Sequence, residues 1–175
     1  MSLRIDFENI EQKCVNTAAT KEYDLLVDKV NKAKKIFLIG NGGLHFVANH
    51  MATDLTRLIK NKVVYSFESV GFITSNANDY GFEKMFVRWL ETVCAVENPD
   101  DCLIIGLSCS GNSSNVVRSL HWGHENNFPT FLISGQKSLA LRDEVDQLCF
   151  DCEYFHTVEV MCLMVFYDLI HRVGS

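Results

Sequence analysis

Proline is scarce in this chain, two residues in 175 (Pro99 and Pro129), and no low-complexity stretch accompanies them. Nothing therefore marks a linker or an internal repeat. Long apolar runs are missing as well. None reaches the roughly 18 residues of a membrane span, and no leader-like segment precedes the first charges, so neither a membrane span nor export is expected. Basic charge is in deficit: 16 Lys and Arg face 22 Asp and Glu, a net charge of −6. That balance argues against a general nucleic-acid or anionic-membrane surface. The remaining composition, 47% hydrophobic, is enough for one domain, 1–175, with a real core.

Cysteine is not scarce. Seven residues, an odd number without a secreted framework, fit reduced thiols and a cytoplasmic location. The one CxxC, Cys149 to Cys152 in "QLCFDC", lies in an alternating apolar pattern typical of a strand. Without a second ligand pair it reads as packing before it reads as a redox or zinc pair.

Along the chain, residues 1–34 form an N-terminal helical region. It is weakly patterned over the first twenty residues and clearly amphipathic in "KEYDLLVDKVNKAKK", where Tyr23, Leu26, Val27 and Val30 share a stripe. Residues 35–152 then alternate apolar strands with helices. "IFLIG" is followed by a helix from Leu44 to Lys60, then come "VVYSFE", "NPDDCLIIGLS", a helix over "SNVVRSLHWGHENN", "PTFLISG" and "VDQLCFDC". Apolar strands without alternation, separated by helices, predict a doubly wound α/β domain with a parallel sheet covered on both faces. The last helix, within 153–173, is apolar nearly all round. Val158, Met161, Cys162, Val165, Phe166, Leu169 and Ile170 all need cover, which predicts an oligomer interface, with a helix lying wholly in the monomer core as the alternative.

Ligands of open parallel sheets bind beyond the carboxyl ends of the strands, and two such ends here suit an anion. Gly40-Asn41-Gly42-Gly43 lets backbone N–H groups approach an oxyanion at a helix start, although a tight strand-to-helix turn reads the same way. "LSCSGNSSNVV" adds Ser108, Ser110, Ser113 and Ser114 around Gly111 at a second helix start. Capping accounts for one of those serines, while several hydroxyls with free amides make a phosphate cradle. Neither the Gly-Lys-Ser/Thr phosphate loop nor GxGxxG is present, which points to one phosphate on a small molecule.

"IFLIGNGG", "ANDYGFEKMFVRWLE", "GLSCSGNSSNVV" and "PTFLISG" together resemble the sugar isomerase (SIS) domain, and within it the phosphoheptose isomerase branch, from about Glu22 to Val173. The resemblance implies a three-layer α-β-α fold with a five-stranded parallel sheet, flavodoxin-like, and extra terminal helices in a homotetramer or dimer interface. It also implies aldose–ketose isomerisation of sedoheptulose 7-phosphate. On the matching motifs it implies that Asn41, Gly42 and Gly43 contact substrate, and that Ser108, Ser110 and Ser113 hold phosphate. Cys109 stands where threonine is usual. Asn78 and Asp79 are implied to bind sugar hydroxyls, although an Asn-Asp pair also suits a plain turn.

Other positions depart from the family. Leu44 replaces a serine that grips phosphate. His50 matches a histidine that is a zinc ligand in metal-bound members. Asp54 replaces a glutamate base and is one methylene shorter, a displacement of about 1 Å that can cost about 100-fold. Val158, Glu159 and Phe166 align with a glutamine, a glutamate and a histidine. Loss of that histidine removes an acid/base partner, and too few ligands remain for zinc, so no cofactor is expected. His156 is a possible substitute, and Glu159 is counted with the substrate-binding residues. Asp54 and His50 are thus the candidate catalytic pair. The alternative is a phosphosugar-sensing or protein-binding SIS adaptor without turnover.

Overall fold

The computed structural model describes residues 9–141 and 143–174. The expectation for the first twenty residues falls partly outside that range. Five parallel strands carry the fold: β1 (Lys35–Gly40), β2 (Val63–Ser66), β3 (Cys102–Ser108), β4 (Thr130–Ser134) and β5 (Asp146–Cys149), in the order β2-β1-β3-β4-β5. Register is set by pairs such as Ile36 with Leu103 and Ile105 with Phe131. The three central strands are buried almost throughout, which is why they read as unbroken apolar runs. The edge strands β2 and β5 are short and only partly covered. The "QLCFDC" strand stops at Cys149, so Cys152 lies beyond it, and all seven cysteines are free thiols.

Among the described residues seven α-helices cover the sheet: α1 (Ile10–Ala18), α2 (Lys21–Lys32), α3 (Gly43–Leu58), α4 (Val70–Tyr80), α5 (Met85–Val93), α6 (Ser114–Glu125) and α7 (Phe155–Gly174). Alternate strand residues feed the two faces. Ile36, Leu38, Leu103, Ile105, Phe131 and Ile133 meet α2, α3 and α7; Phe37, Ile39, Ile104 and Leu132 meet α5 and α6. The second layer lies very close at Gly106, where an added Cβ would stand 2.7 Å from Val116. This is the three-layer α-β-α arrangement the sequence implied.

α7 differs from expectation. All seven of its residues that needed cover are buried within this chain, against α3, β1 and β3 on the first face and against α1 and α2. Burial of that stripe therefore supplies no argument for an oligomer. The apolar side chains left outside are Val160, Met164 and Tyr167, each about 40% exposed.

Candidate functional site

β1 and β3 lie side by side, but the helices that follow them lead to opposite sides of the sheet. Their carboxyl ends thus form the switch-point crevice in which such sheets take ligands. The crevice is a cavity of about 370 Å³ lined by Asn41, Gly42, Gly43, Leu44 and Leu107, by Ser108, Cys109, Ser110 and Ser113, and by Phe155 and Glu159. The two loops singled out in the sequence therefore converge on one hollow.

Each loop is shaped by glycine where the backbone demands it. Gly42 is the N-cap of α3 at φ +56°, and Gly111 turns the serine loop at φ +70°. The loops are tied together by a reciprocal amide pair. Asn41 Nδ2 donates to Asn115 Oδ1 at 2.9 Å, and Asn115 Nδ2 donates back to Asn41 Oδ1 at 2.8 Å. Asn115 is fully buried, and the sequence reading missed it. Its signal was a polar residue in the first turn of α6 on the side facing the sheet.

The serines are not spent on capping. Ser113 is the N-cap of α6, yet its side chain makes no cap hydrogen bond; its Oγ lies 3.0 Å from Ser108 Oγ. Ser110 Oγ accepts from Asn112 N at 3.2 Å, which keeps the turn tight. Ser114 is exposed and outside the cavity. Hydroxyls from Ser108, Ser110 and Ser113 thus meet a helix start without a side-chain cap, a combination that favours an anion.

Cys109 lines the cavity but turns its S–H toward the Phe155 carbonyl, 3.7 Å away. Burial pushes this thiol up to about 12, and the charge of Glu159 adds to the effect. It is a neutral group here, neither an anion donor nor a nucleophile. Leu44 is buried in the core below the loop, which answers why no polar side chain opens α3. Glu159 reaches from α7 to the first residue of α3. An added Cβ on Gly43 would stand 2.3 Å from its Oε1.

The remaining expected residues stand elsewhere. His50 and Asp54 are on the outer side of α3, with His50 Nε2 3.0 Å from Tyr167 Oη and 3.5 Å from Asp54 Oδ2. Asn78 and Asp79 end α4 in a helix rather than a turn; they are exposed, and Asn78 Nδ2 donates to Asp79 Oδ1 at 2.8 Å. None of the four lines the cavity within this chain. Val158 and Phe166 are fully buried among apolar side chains. A zinc ion is implied by the family, but His50 and Asp54 with two apolar positions do not make a zinc site. Among the described residues no cluster of three or more His, Cys, Asp or Glu suits a metal.

A larger cavity, about 730 Å³, lies between α5 and α6. Three of its cationic side chains are paired: Arg88 with Glu91, Arg118 with Glu83 and His121 with Glu144, while Lys84 also lines it. It lacks the glycine and hydroxyl convergence of the smaller one.

No family model matches the chain. Among curated proteins, the phosphoheptose isomerase of Proteus mirabilis is 31% identical over 133 residues, 74% of this chain and 67% of that one. This chain belongs to the phosphoheptose isomerase family. The phosphoheptose isomerase of Hamiltonella defensa is also 31% identical, over 126 residues, 70% of this chain and 59% of that protein's length. The match thus spans less than two thirds of that relative. Among solved structures, the phosphoheptose isomerase of Neisseria gonorrhoeae superposes with a TM-score of 0.79 at 19% identity, covering 95% of this chain and 92% of the other. The likeness at that identity speaks for the fold.

One residue beside the crevice escaped the sequence reading altogether. His45, in the first turn of α3, lines a neighbouring cavity of about 340 Å³ with Gly40, Asn41, Gly42, Phe46, Ile73, Phe82, Met85 and Phe86. Burial holds its imidazole below the ordinary histidine value, partly offset by the charge of Glu68 and a hydrogen bond to the Gly40 backbone. No motif flags it. Only the packing of α4 and α5 against the loop makes the chamber.

Proposed function

We propose that this phosphoheptose isomerase family member binds a sugar phosphate in the switch-point crevice and interconverts its aldose and ketose forms, with sedoheptulose 7-phosphate as the first substrate to test. The observation that carries the reading is the meeting of the Gly-Asn-Gly-Gly loop, the serine loop and Glu159 on one cavity. The phosphate takes the open start of α6 with Ser108, Ser110 and Ser113. Isomerisation needs a base for the proton on the carbon beside the carbonyl. Glu159 is the only carboxylate lining the cavity among the described residues, and we assign it that task in place of Asp54.

The donor chemistry supports a site that works without a resident metal. Val160, Met164 and Tyr167, exposed on α7 with Tyr167 against His50, support a second copy of the chain on that face, as a dimer or tetramer. Seven free thiols support a reducing, cytoplasmic setting. No helix among the described residues is long and apolar enough to cross a membrane.

The test follows conversion of sedoheptulose 7-phosphate by NMR and its binding by calorimetry. Wild-type protein is expected to bind and convert it. Ser110→Asp, which sets a carboxylate against the phosphate, is expected to abolish binding. Glu159→Gln is expected to bind and not convert. Binding without conversion by the wild type would make the protein a phosphosugar sensor. Unchanged affinity in Ser110→Asp would mean that the cradle is misassigned.

A further inference from the structure

The serine crevice and the His45 chamber share a wall, Asn41 and Gly42, and at Gly42 that wall carries no side chain. A Cβ placed there would meet nothing within 4 Å, so the space above the residue is open. Gly42 is thus a saddle between two hollows. On one side Glu159 presses against Gly43; on the other, two residues further along the same helical turn, stands His45.

His45 is an oriented imidazole. Its Nε2 lies 3.5 Å from Asn49 Nδ2, and a second hydrogen bond runs to the Gly40 backbone. In the tautomer with the proton on Nδ1, Nε2 offers its lone pair to the Asn49 amide N–H. The Asn49 contact is at the outer limit of hydrogen bonding, and Asn49 Oδ1 is buried with no partner. Turning the Asn49 amide over would aim that unpaired oxygen at Nε2, where it accepts from an Nε2–H, present in the protonated ring and in the other neutral tautomer. The His45–Asn49 pair thus has an arrangement for each protonation state. The other walls bring no charge: Ile73 of α4, Phe82 of the turn between α4 and α5, and Met85 and Phe86 of α5 line the chamber, and Glu68 is the charged group that acts on the ring.

We propose that His45 carries the hydroxyl proton of the isomerisation, the sugar lying across Gly42 with its phosphate on the serine side and its reacting carbons between Glu159 and His45. This rests on the phosphosugar reading above. Glu159 takes the proton from C1 of the ketose, the C–H pair becomes the C1–C2 double bond, and the carbonyl pair moves to O2. His45 Nε2 takes the proton of O1–H and delivers it to O2. The pair left on O1 closes the new carbonyl, while the double-bond pair takes the proton on Glu159 at C2. One carbon-bound proton and one hydroxyl proton have moved, and nothing else is consumed.

His45→Gln is expected to lower kcat by about 100-fold or more while leaving the affinity for sedoheptulose 7-phosphate within about twofold. In the wild type, kcat/KM should fall on the acid side as His45 becomes protonated. Asn49→Asp, which sets a carboxylate beside Nε2, should move that inflection to higher pH. A kcat in His45→Gln within fivefold of wild type, or an inflection indifferent to Asn49→Asp, overturns the assignment.

Histidine resonances give a readout that does not need turnover. Sedoheptulose 7-phosphate should shift those of His45, and inorganic phosphate, confined to the serine side, should leave them in place. A wild type that binds the sugar phosphate, shifts His45 and converts nothing refutes the isomerase reading and keeps the pose. Binding without any shift of His45 refutes the pose. Failure to bind refutes both.

Discussion

Substituting Gly43 by alanine should move activity and stability in opposite directions. Gly43 is the first residue of α3 and has no left-handed backbone to lose. Alanine at such a position narrows the unfolded ensemble and favours the fold by about 0.4–1 kcal/mol. Its methyl group, however, would stand 2.3–2.6 Å from the Glu159 carboxylate, whose atoms are its three nearest neighbours. Restoring an ordinary contact of 3.4 Å moves that carboxylate by about 1 Å. The end of a glutamate side chain swings at little cost in stability, but a displacement of about 1 Å in a reacting group can cost about 100-fold in rate. Gly43→Ala should therefore unfold at an equal or higher urea midpoint, bind sedoheptulose 7-phosphate and turn it over about 100-fold more slowly. Turnover within threefold of wild type would refute the placement of Glu159 at the reacting carbons. A lowered midpoint would show that the carboxylate is not free to move.

Gly111→Ala should destabilise instead, since φ is +70° and the new Cβ would lie 2.2 Å from the Gln136 carbonyl. The backbone term alone is about 1–2 kcal/mol, so an unchanged urea midpoint would sink the account. Stability should also fall as pH rises above about 9. Burial pushes Cys94 and Cys109 up to about 12 and Cys102 up to about 11, against 9.0 for an unperturbed thiol. The unfolded chain then releases protons that the folded chain keeps. That contribution is complete below pH 9 and is lost on the way to 11–12. Urea midpoints at pH 8 and pH 10 should differ, and the difference should shrink in a Cys94→Ala variant.

The parts legible in the sequence were those decided by one local rule. β1, β3 and β4 read as strands because burial on both faces leaves an unbroken apolar run, and both anion loops read from glycine and serine next to those runs. α5 was also within reach: Met85, Phe86, Trp89 and Leu90 recur at helical spacing and are all buried. α4 was not, because apart from Asn76 its side chains are at least partly exposed and its composition of Ser, Thr and Asn suits a loop equally well. The terminal helix misled for a different reason. Seven apolar positions measure how much cover a helix needs, and α1, α2, α3 and the sheet supply it from within the chain. Periodicity counts the faces to be covered and is silent about who covers them.

On the proposed reading, a cavity lined by no Lys or Arg among the described residues holds a phosphate beside a carboxylate. Two helix starts, those of α3 and α6, open on the crevice, and neither has a side-chain cap. Glu159, fixed on α7, stands at the first of them. The second keeps its amides for a guest, helped by three serine hydroxyls. A carboxylate and a phosphate of charge about −1.5 to −2, about 6 Å apart, repel by about 4–6 kcal/mol at an effective dielectric of about 20. Each hydrogen bond to a charged oxygen returns about 1.5–3 kcal/mol. About four such bonds offset the repulsion without a fixed cation. With no Lys or Arg among the described residues that line the cradle, nothing there draws the Glu159 carboxylate into a salt bridge. An uncharged cradle and an unpaired base are thus two consequences of one arrangement. Leu44, which puts an apolar side chain under the α3 loop where the family has a serine, is part of it: with no hydroxyl at that helix start, Glu159 is the polar group that stands there.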